Sequence, residues 1–396
     1  MINREVIKYI RALFIWGLLI FVFLITGCAS TPEAPVQIQG VFYPPPPELP
    51  RIQYLRSFTS NKDVETAVSK FDKFVTGQEE KIKRLDKPYG VGIYNGRIYV
   101  CDTNLSIMVF DLENKKFHTL EGAKGLGKSI QPLNISIDDD GTKYVVDPVR
   151  GQVLVYDSKD FFVKAFGSQI EWTPIDVDIF NDRLYVIDRN SAEVWVLDKD
   201  SGELVDKIGK KSEKITEQLF KPTNLIFNSD GNLYIADAGR FQLVRYDRDG
   251  HFLGTIGILG TSPGRFSRPK GLATDRKGRV YAVDAAFDNV QIFNRDGRFL
   301  MSFGEPGNSA GDLNLPAKVI VDYDNIQYFS EYIDPNFEAE AIIIVTSQFG
   351  PRLVNVYALG RQKGVDYPAD EELLQQLEKR KKELEEKENK EKKEEK

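Results

Sequence analysis

Histidine and cysteine are nearly absent from this 396-residue chain, which holds two of each. His118 and His251 both lie in or beside segments that read as outer strands, away from any cluster that would make them a general base or a metal site. No glycine-rich phosphate loop, nucleophile elbow or Cys/His metal cluster occurs, which removes the commonest catalytic classes. Positive charge is not in excess either: Lys and Arg number 53 against 59 Asp and Glu, a formal charge of −6. An acidic, exported chain is a poor nucleic-acid binder, so nucleic acid is not expected as a partner.

Long hydrophobic runs are also missing, with one exception. Arg4, Lys8 and Arg11 precede an uncharged run from Ala12 to Ile25, and small residues lead into Gly27 and Cys28. This is the three-part layout of a secretory signal; the run is short for a span of about 20 residues, and no basic stop-transfer cluster follows. Ile25-Thr26-Gly27-Cys28 resembles the lipobox of bacterial lipoproteins. The resemblance implies cleavage before Cys28, a diacylglycerol on its sulfur and a further acyl chain on its new amino group. Two or more chains make an anchor stable where one is marginal. Ala29, rather than Asp, follows the cysteine, which in a Gram-negative cell implies sorting to the outer membrane.

With Cys28 consumed by lipid, no disulfide framework can form. Cys101 sits in the apolar run Ile98-Tyr99-Val100-Cys101 and is expected to be a small buried core residue rather than a reactive thiol.

The chain divides as a signal peptide over 1–27, a proline-rich linker over 28–50, a closing strand and helical segment over 51–83, a repeat domain over 84–367 and a charged tail over 368–396. Pro44 to Pro47 are consecutive, so the linker reads as a stiff stalk. Val64, Val68, Phe71 and Val75 recur at helical spacing. In the tail, Asp370 can cap a helix, and Glu378/Lys382, Glu383/Lys387 and Glu386/Lys390 are favourable pairs. Leu373, Leu377 and Leu384 form one thin seam there. Both a solvated helical tail and a partner-binding coiled coil fit that pattern.

The repeat decides the fold. A proline followed by an apolar strand recurs six times, at Pro88, Pro132, Pro174, Pro222, Pro269 and Pro316. Eleven or twelve residues later comes a tyrosine in a strand-like run, at Tyr99, Tyr144, Tyr185, Tyr234, Tyr281 and Tyr328. Five of these runs end in aspartate, at Asp102, Asp147, Asp188, Asp237 and Asp284, and in the sixth unit Ser330-Glu331 stands at that place. Third and fourth strands follow in most units. Four short antiparallel strands repeated at this period make propeller blades, because a lone four-stranded sheet cannot bury both faces. The expected fold is therefore all-β, a six-bladed β-propeller. The pattern over about 84–360 resembles the NHL repeat, whose architecture hosts unrelated activities.

The sixth unit lacks a clear fourth strand. Tyr54-Leu55-Arg56-Ser57-Phe58 reads like Phe299-Leu300-Met301-Ser302-Phe303, so the N-terminal segment is expected to close the last blade and remove an open edge.

Antiparallel geometry gathers the proline-led loops and the loops after each aspartate on one face. Two residues past each proline, Gly90, Asn134, Asp176, Asn224, Gly271 and Lys318 should lie nearest the axis. Asn134, Asp176, Asn224 and Lys318 are the candidate funnel ligands. Asn134, Asp176 and Asn224 also resemble the Asn/Asp metal ligands of gluconolactonase-like propellers, which implies Ca or Mg and a lactonase-like hydrolase or lyase. No glutamate stands where that family has one, and Lys318 would carry positive charge towards the cation. The rim offers Arg150, Arg189, Lys221, Arg240, Arg268 and Lys270 beside Phe241 and Phe287, of which Arg150, Arg189, Arg240, Phe241 and Phe287 are the candidate contact anchors. The repeated aspartates read as structural, accepting backbone N–H groups of the following turn. The first functional reading is a lipid-anchored envelope module that binds a protein, peptide or glycan and needs no cofactor.

Overall fold

The computed structural model describes residues 40–66, 82–167, 171–210 and 212–369, with Glu372, Gln375 and Lys379 in helical conformation beyond them. The signal segment with Cys28, the linker before Gly40, the helical positions Val68, Phe71 and Val75, and most of the charged tail lie outside the described residues. No described helix is long and apolar enough to cross a membrane.

Five sheets of four strands and one of five make the six blades. The innermost strands are Pro88–Tyr94, Asn134–Ile137, Pro174–Phe180, Pro222–Phe227, Pro269–Thr274 and Pro316–Asp322. Proline suits most of these starts because the first residue of a strand need not donate to the ladder. Pairing sets Pro88 opposite Asp102, Pro174 opposite Asp188, Pro222 opposite Asp237 and Pro269 opposite Asp284. The proline-led loops and the post-aspartate turns therefore share one face.

Burial follows strand position. The third strand Ile107–Asp111 is buried throughout, whereas the outer strand Leu204–Ile208 is exposed except near its end. The core lies between blades: Ile175, Tyr185 and Val194 of blade three pack on Leu225, Ile235 and Val244 of blade four. Cys101 is fully buried there, and burial raises its thiol well above the usual range, which leaves it an apolar filler.

Blade six departs from the repeat in a way that corrects the sequence reading. Tyr328, Ser330 and Glu331 lie in a 3-10 helix, Ile326–Tyr332, and not in a strand. The second strand is Phe337–Ser347, paired so that Pro316 faces Ser347. Ser347 thus holds the aspartate's place, and Tyr328 instead covers Gly96 in a hairpin of blade one, where an added Cβ would meet its ring at 2.5 Å.

Ile52–Phe58 pairs antiparallel with Val354–Gln362 as the fourth strand of this blade, and Phe42–Tyr43 adds a short fifth. Phe58 is fully buried and its ring lies 5.3 Å from that of Phe110 in blade one.

Candidate functional site

Each repeated aspartate holds its loops by accepting backbone N–H groups. Asp237 takes those of Phe220 (2.7 Å) and Lys221 (2.9 Å) before the proline, and Gly239 (3.0 Å) and Arg240 (3.2 Å) after the strand. Asp102, Asp147, Asp188 and Asp284 repeat the arrangement, each joining its pre-proline segment to its turn. Their expected structural role is what the geometry gives, and it makes this face a rigid set of loops.

At the axis, the four polar funnel candidates are brought together but as a buried layer. Asn134, Asp176 and Asn224 are fully buried and Lys318 nearly so. Lys318 Nζ donates to both oxygens of Asp176 at 3.2 Å. Asp176 Oδ2 also accepts Asn224 Nδ2 (3.0 Å) and the Leu225 N–H (2.9 Å), while Asn134 Nδ2 donates to the Ile175 carbonyl (3.0 Å). Gly90 and Gly271 complete the ring because neighbouring strands touch there: a Cβ would lie 2.6 Å from Asn134 Cα and 2.5 Å from Lys318 Cα respectively.

For a divalent cation this placement cuts both ways, since Asn134 Oδ1 and Asn224 Oδ1 are buried without a hydrogen-bond partner but a lysine competes for the carboxylate. The one carboxylate is already neutralised by an ammonium on both oxygens, and Asn134 Oδ1 faces Gly90, 2.8 Å from where its Cβ would be. Asn134, Asp176 and Asn224 thus sit together in an axial layer, or plug, crossed by the Lys318–Asp176 ion pair, which competes with any cation for the one carboxylate. Among the described residues, Asp247, Asp249 and His251 do cluster, but in a partly to fully exposed hairpin where Asp247 already accepts the Asp249 and His251 N–H groups.

The plug separates two vestibules. On the side away from the proline-led loops, a cavity of about 220 Å³ is walled by Val91, Ile135, Ile226 and Leu272, with Lys318 at its floor and Asp178 on its wall. Burial pushes the Asp178 carboxyl up to about 6, against the Phe227 N–H and Lys318, which favour its charge.

On the proline-loop side, Lys270 of blade five reaches across the funnel. Its Nζ lies 5.2 Å from the Tyr89 ring centroid of blade one and donates to Gln348 Oε1 of blade six at 3.3 Å. The residue is 7 % exposed. Burial, with Arg268 and Lys87 nearby, pulls the ammonium down to about 8. Tyr89 and Gln348 were not legible as site residues, since Tyr89 sits one position before the expected funnel ring and Gln348 follows the misplaced strand of blade six.

The rim candidates fare unequally. Arg150 donates to the Leu126 and Lys128 carbonyls and to Gln152, and Arg240 donates to the Ile215 carbonyl, so both guanidinium groups brace loops. Phe241 and Phe287 are half-buried, and Arg189 is exposed. What the sequence reading missed is apolar. Leu126 (81 %), Ile215 (74 %) and Phe220 (68 %) are the most exposed large hydrophobic residues described, and Leu105, Ile130, Val149, Ile258, Leu259 and Phe349 are exposed on loops of the same face. The signal was present in segments such as Gly125-Leu126-Gly127, a lone apolar residue between glycines in a loop connection.

Comparison with known proteins supports the architecture. A family model, DUF5128, described as "6-bladed beta-propeller", matches residues 172–261. No curated protein sequence matches the chain. A structural-genomics protein of unknown function from Bacteroides thetaiotaomicron VPI-5482 is similar in structure with TM-score 0.55 and 15 % identity, over 78 % of this chain and 75 % of that one. An auxiliary nutrient binding protein from the same organism gives TM-score 0.52 and 12 % identity, over 69 % and 70 %. A streptogramin B lyase gives TM-score 0.50 and 11 % identity, over 78 % and 98 %. Identities this low concern the fold alone.

Proposed function

We propose that this protein is a binding module of the cell envelope, anchored through lipid on Cys28 and docking an envelope protein or peptide on its proline-loop face. The observation that carries the reading is the concentration of exposed Leu, Ile, Val and Phe side chains on the loops of that face. Single exposed apolar residues are ordinary, and Phe161, Val163, Leu204, Val205 and Leu253 are exposed on outer strands or the opposite hairpins, but the most exposed ones, Leu126, Ile215 and Phe220, gather on the loops of this one face, as a contact surface would. Aliphatic side chains favour a protein or peptide over a glycan, and the clamped loops would meet it with little ordering cost. The binding protein among the structural neighbours is compatible with such a role.

Photo-crosslinking in intact cells tests the reading. A photoreactive residue at Ile215 or Phe220 is expected to capture envelope proteins, and one at Asp139 or Asp182, in hairpins at the opposite face, is not. Adducts from the second pair alone would overturn it.

A further inference from the structure

We propose that the funnel on the proline-loop face is an oxyanion site, in which Lys270 receives a carboxylate or phosphate group of the bound partner or of a free ligand. The inference rests on the reading that this face is the binding face, and it names the chemistry at the face's centre.

Three blades converge on one ammonium. Lys270 leaves blade five, lies against the Tyr89 ring of blade one and donates to Gln348 of blade six. Among the described residues no carboxylate is within ion-pair reach of it, whereas the chain's other deeply buried lysines are paired: Lys143 with Asp160 and Lys318 with Asp176. A buried ammonium without a counter-charge is unfavourable, and a chain that supplies partners to the others leaves this one to an outside group. The surroundings sharpen the point. Arg268 and Lys87, the residues just before the prolines of blades five and one, repel the Lys270 charge, and Arg189 and Arg268 both act on the half-buried Tyr89. A neutral amide oxygen and an aromatic face offset only part of that cost.

An anion entering from the loop face would meet Lys270 first at depth, with Arg268 and Arg189 exposed above it. The axial plug prevents passage further, because Lys318 and Asp176 neutralise each other directly below. The site therefore suits the end of an acidic group rather than a threaded chain. Charge-assisted hydrogen bonds of this kind commonly set the position of a ligand whose remaining contacts are apolar.

Isothermal titration of the full chain in detergent, at constant ionic strength, tests the site with two probes: inorganic phosphate and a tetraglutamate peptide. Wild type is expected to bind at least one probe with a stoichiometry of one, Lys270→Gln to weaken it about tenfold or more, and Lys270→Arg to retain it. Binding of phosphate alone assigns a phosphate-bearing ligand; binding of the peptide alone assigns a protein carboxylate. Arg268→Gln, a change at an exposed side chain, serves as the second variant if Lys270→Gln does not fold, and should weaken binding in the same direction. No binding of either probe, or equal binding by wild type and the Gln variants, overturns the inference. If crosslinks still form at Ile215 and Phe220 in that case, the docking reading stands and the oxyanion site alone is lost.

Discussion

Lys318 and Asp176 show how a residue's place can be legible in the sequence while its partner is not. Both were expected at the axis from the two-residue offset after each proline, and both are there. Their partnership was not legible, because they are 142 residues apart in the chain. Lys318→Met leaves the Asp176 carboxylate buried without a counter-charge and should destabilise the protein by about 3–5 kcal/mol in urea unfolding at neutral pH. The double variant Lys318→Met/Asp176→Leu should recover much of that loss, and a loss under about 1 kcal/mol in the single variant would remove the ion pair from its role in the plug. Asp178, on the other side of the plug, carries a pH signature. Its folded carboxyl titrates at about 6, above its unfolded value, chiefly through burial. Its stabilising contribution is therefore complete below pH about 4 and is lost as pH rises through about 6. Relative to Asp178→Asn, wild type should lose about 1 kcal/mol between pH 5 and 7.5, read from paired denaturant curves. Parallel curves across that range would place the charge in water rather than against the cavity wall.

At the scale of the element, the blade is a unit because its aspartate ties two loops to one strand end. Five blades repeat this and were readable from spacing alone. The sixth was misaligned, since Tyr328 falls at the expected distance from Pro316 yet belongs to a 3-10 turn that covers the hairpin of blade one. Distance along the chain cannot tell a strand from an insertion when the insertion carries the same aromatic. The closing strand Ile52–Phe58 was legible, because its alternation matches the outer strands of other blades. Removing residues 40–58 exposes the edge of Val354–Gln362 and withdraws Ile52 and Phe58, both fully buried. Each such side chain contributes about 1.5–3 kcal/mol, so the thermal midpoint should fall by about 5 °C or more. An unchanged melting curve would mean that the blade is stable with three strands.

For the whole molecule, the proposed docking face is the end that carries the most exposed apolar loops, and the proposed lipid anchor would set how that end is presented. The Cys28 assignment belongs to this scale. Cys28→Ser should abolish incorporation of labelled fatty acid and release the protein from the membrane fraction. Wild-type labelling and fractionation in that variant would end the lipoprotein reading while leaving the propeller untouched. The two arms of the proposal are independent: the anchor concerns residues before Gly40, and the docking face concerns loops whose geometry the aspartate clamps maintain.

The sequence by itself determined the number of blades, the face on which the proline-led and post-aspartate loops meet, the structural role of the aspartates and the burial of Cys101. All of these follow from local period and residue type, and a repeat writes them several times over. The tertiary structure decided what single positions do. It brought Asn134, Asp176, Asn224 and Lys318 together as one buried axial layer, tied Arg150 and Arg240 to carbonyls of neighbouring loops, and set Lys270 beside Tyr89 and Gln348 from two other blades. The reason is geometric: closing a ring brings together residues separated by whole blades, and whether two charges meet or one is left unpaired depends on that closure rather than on any neighbour in the chain.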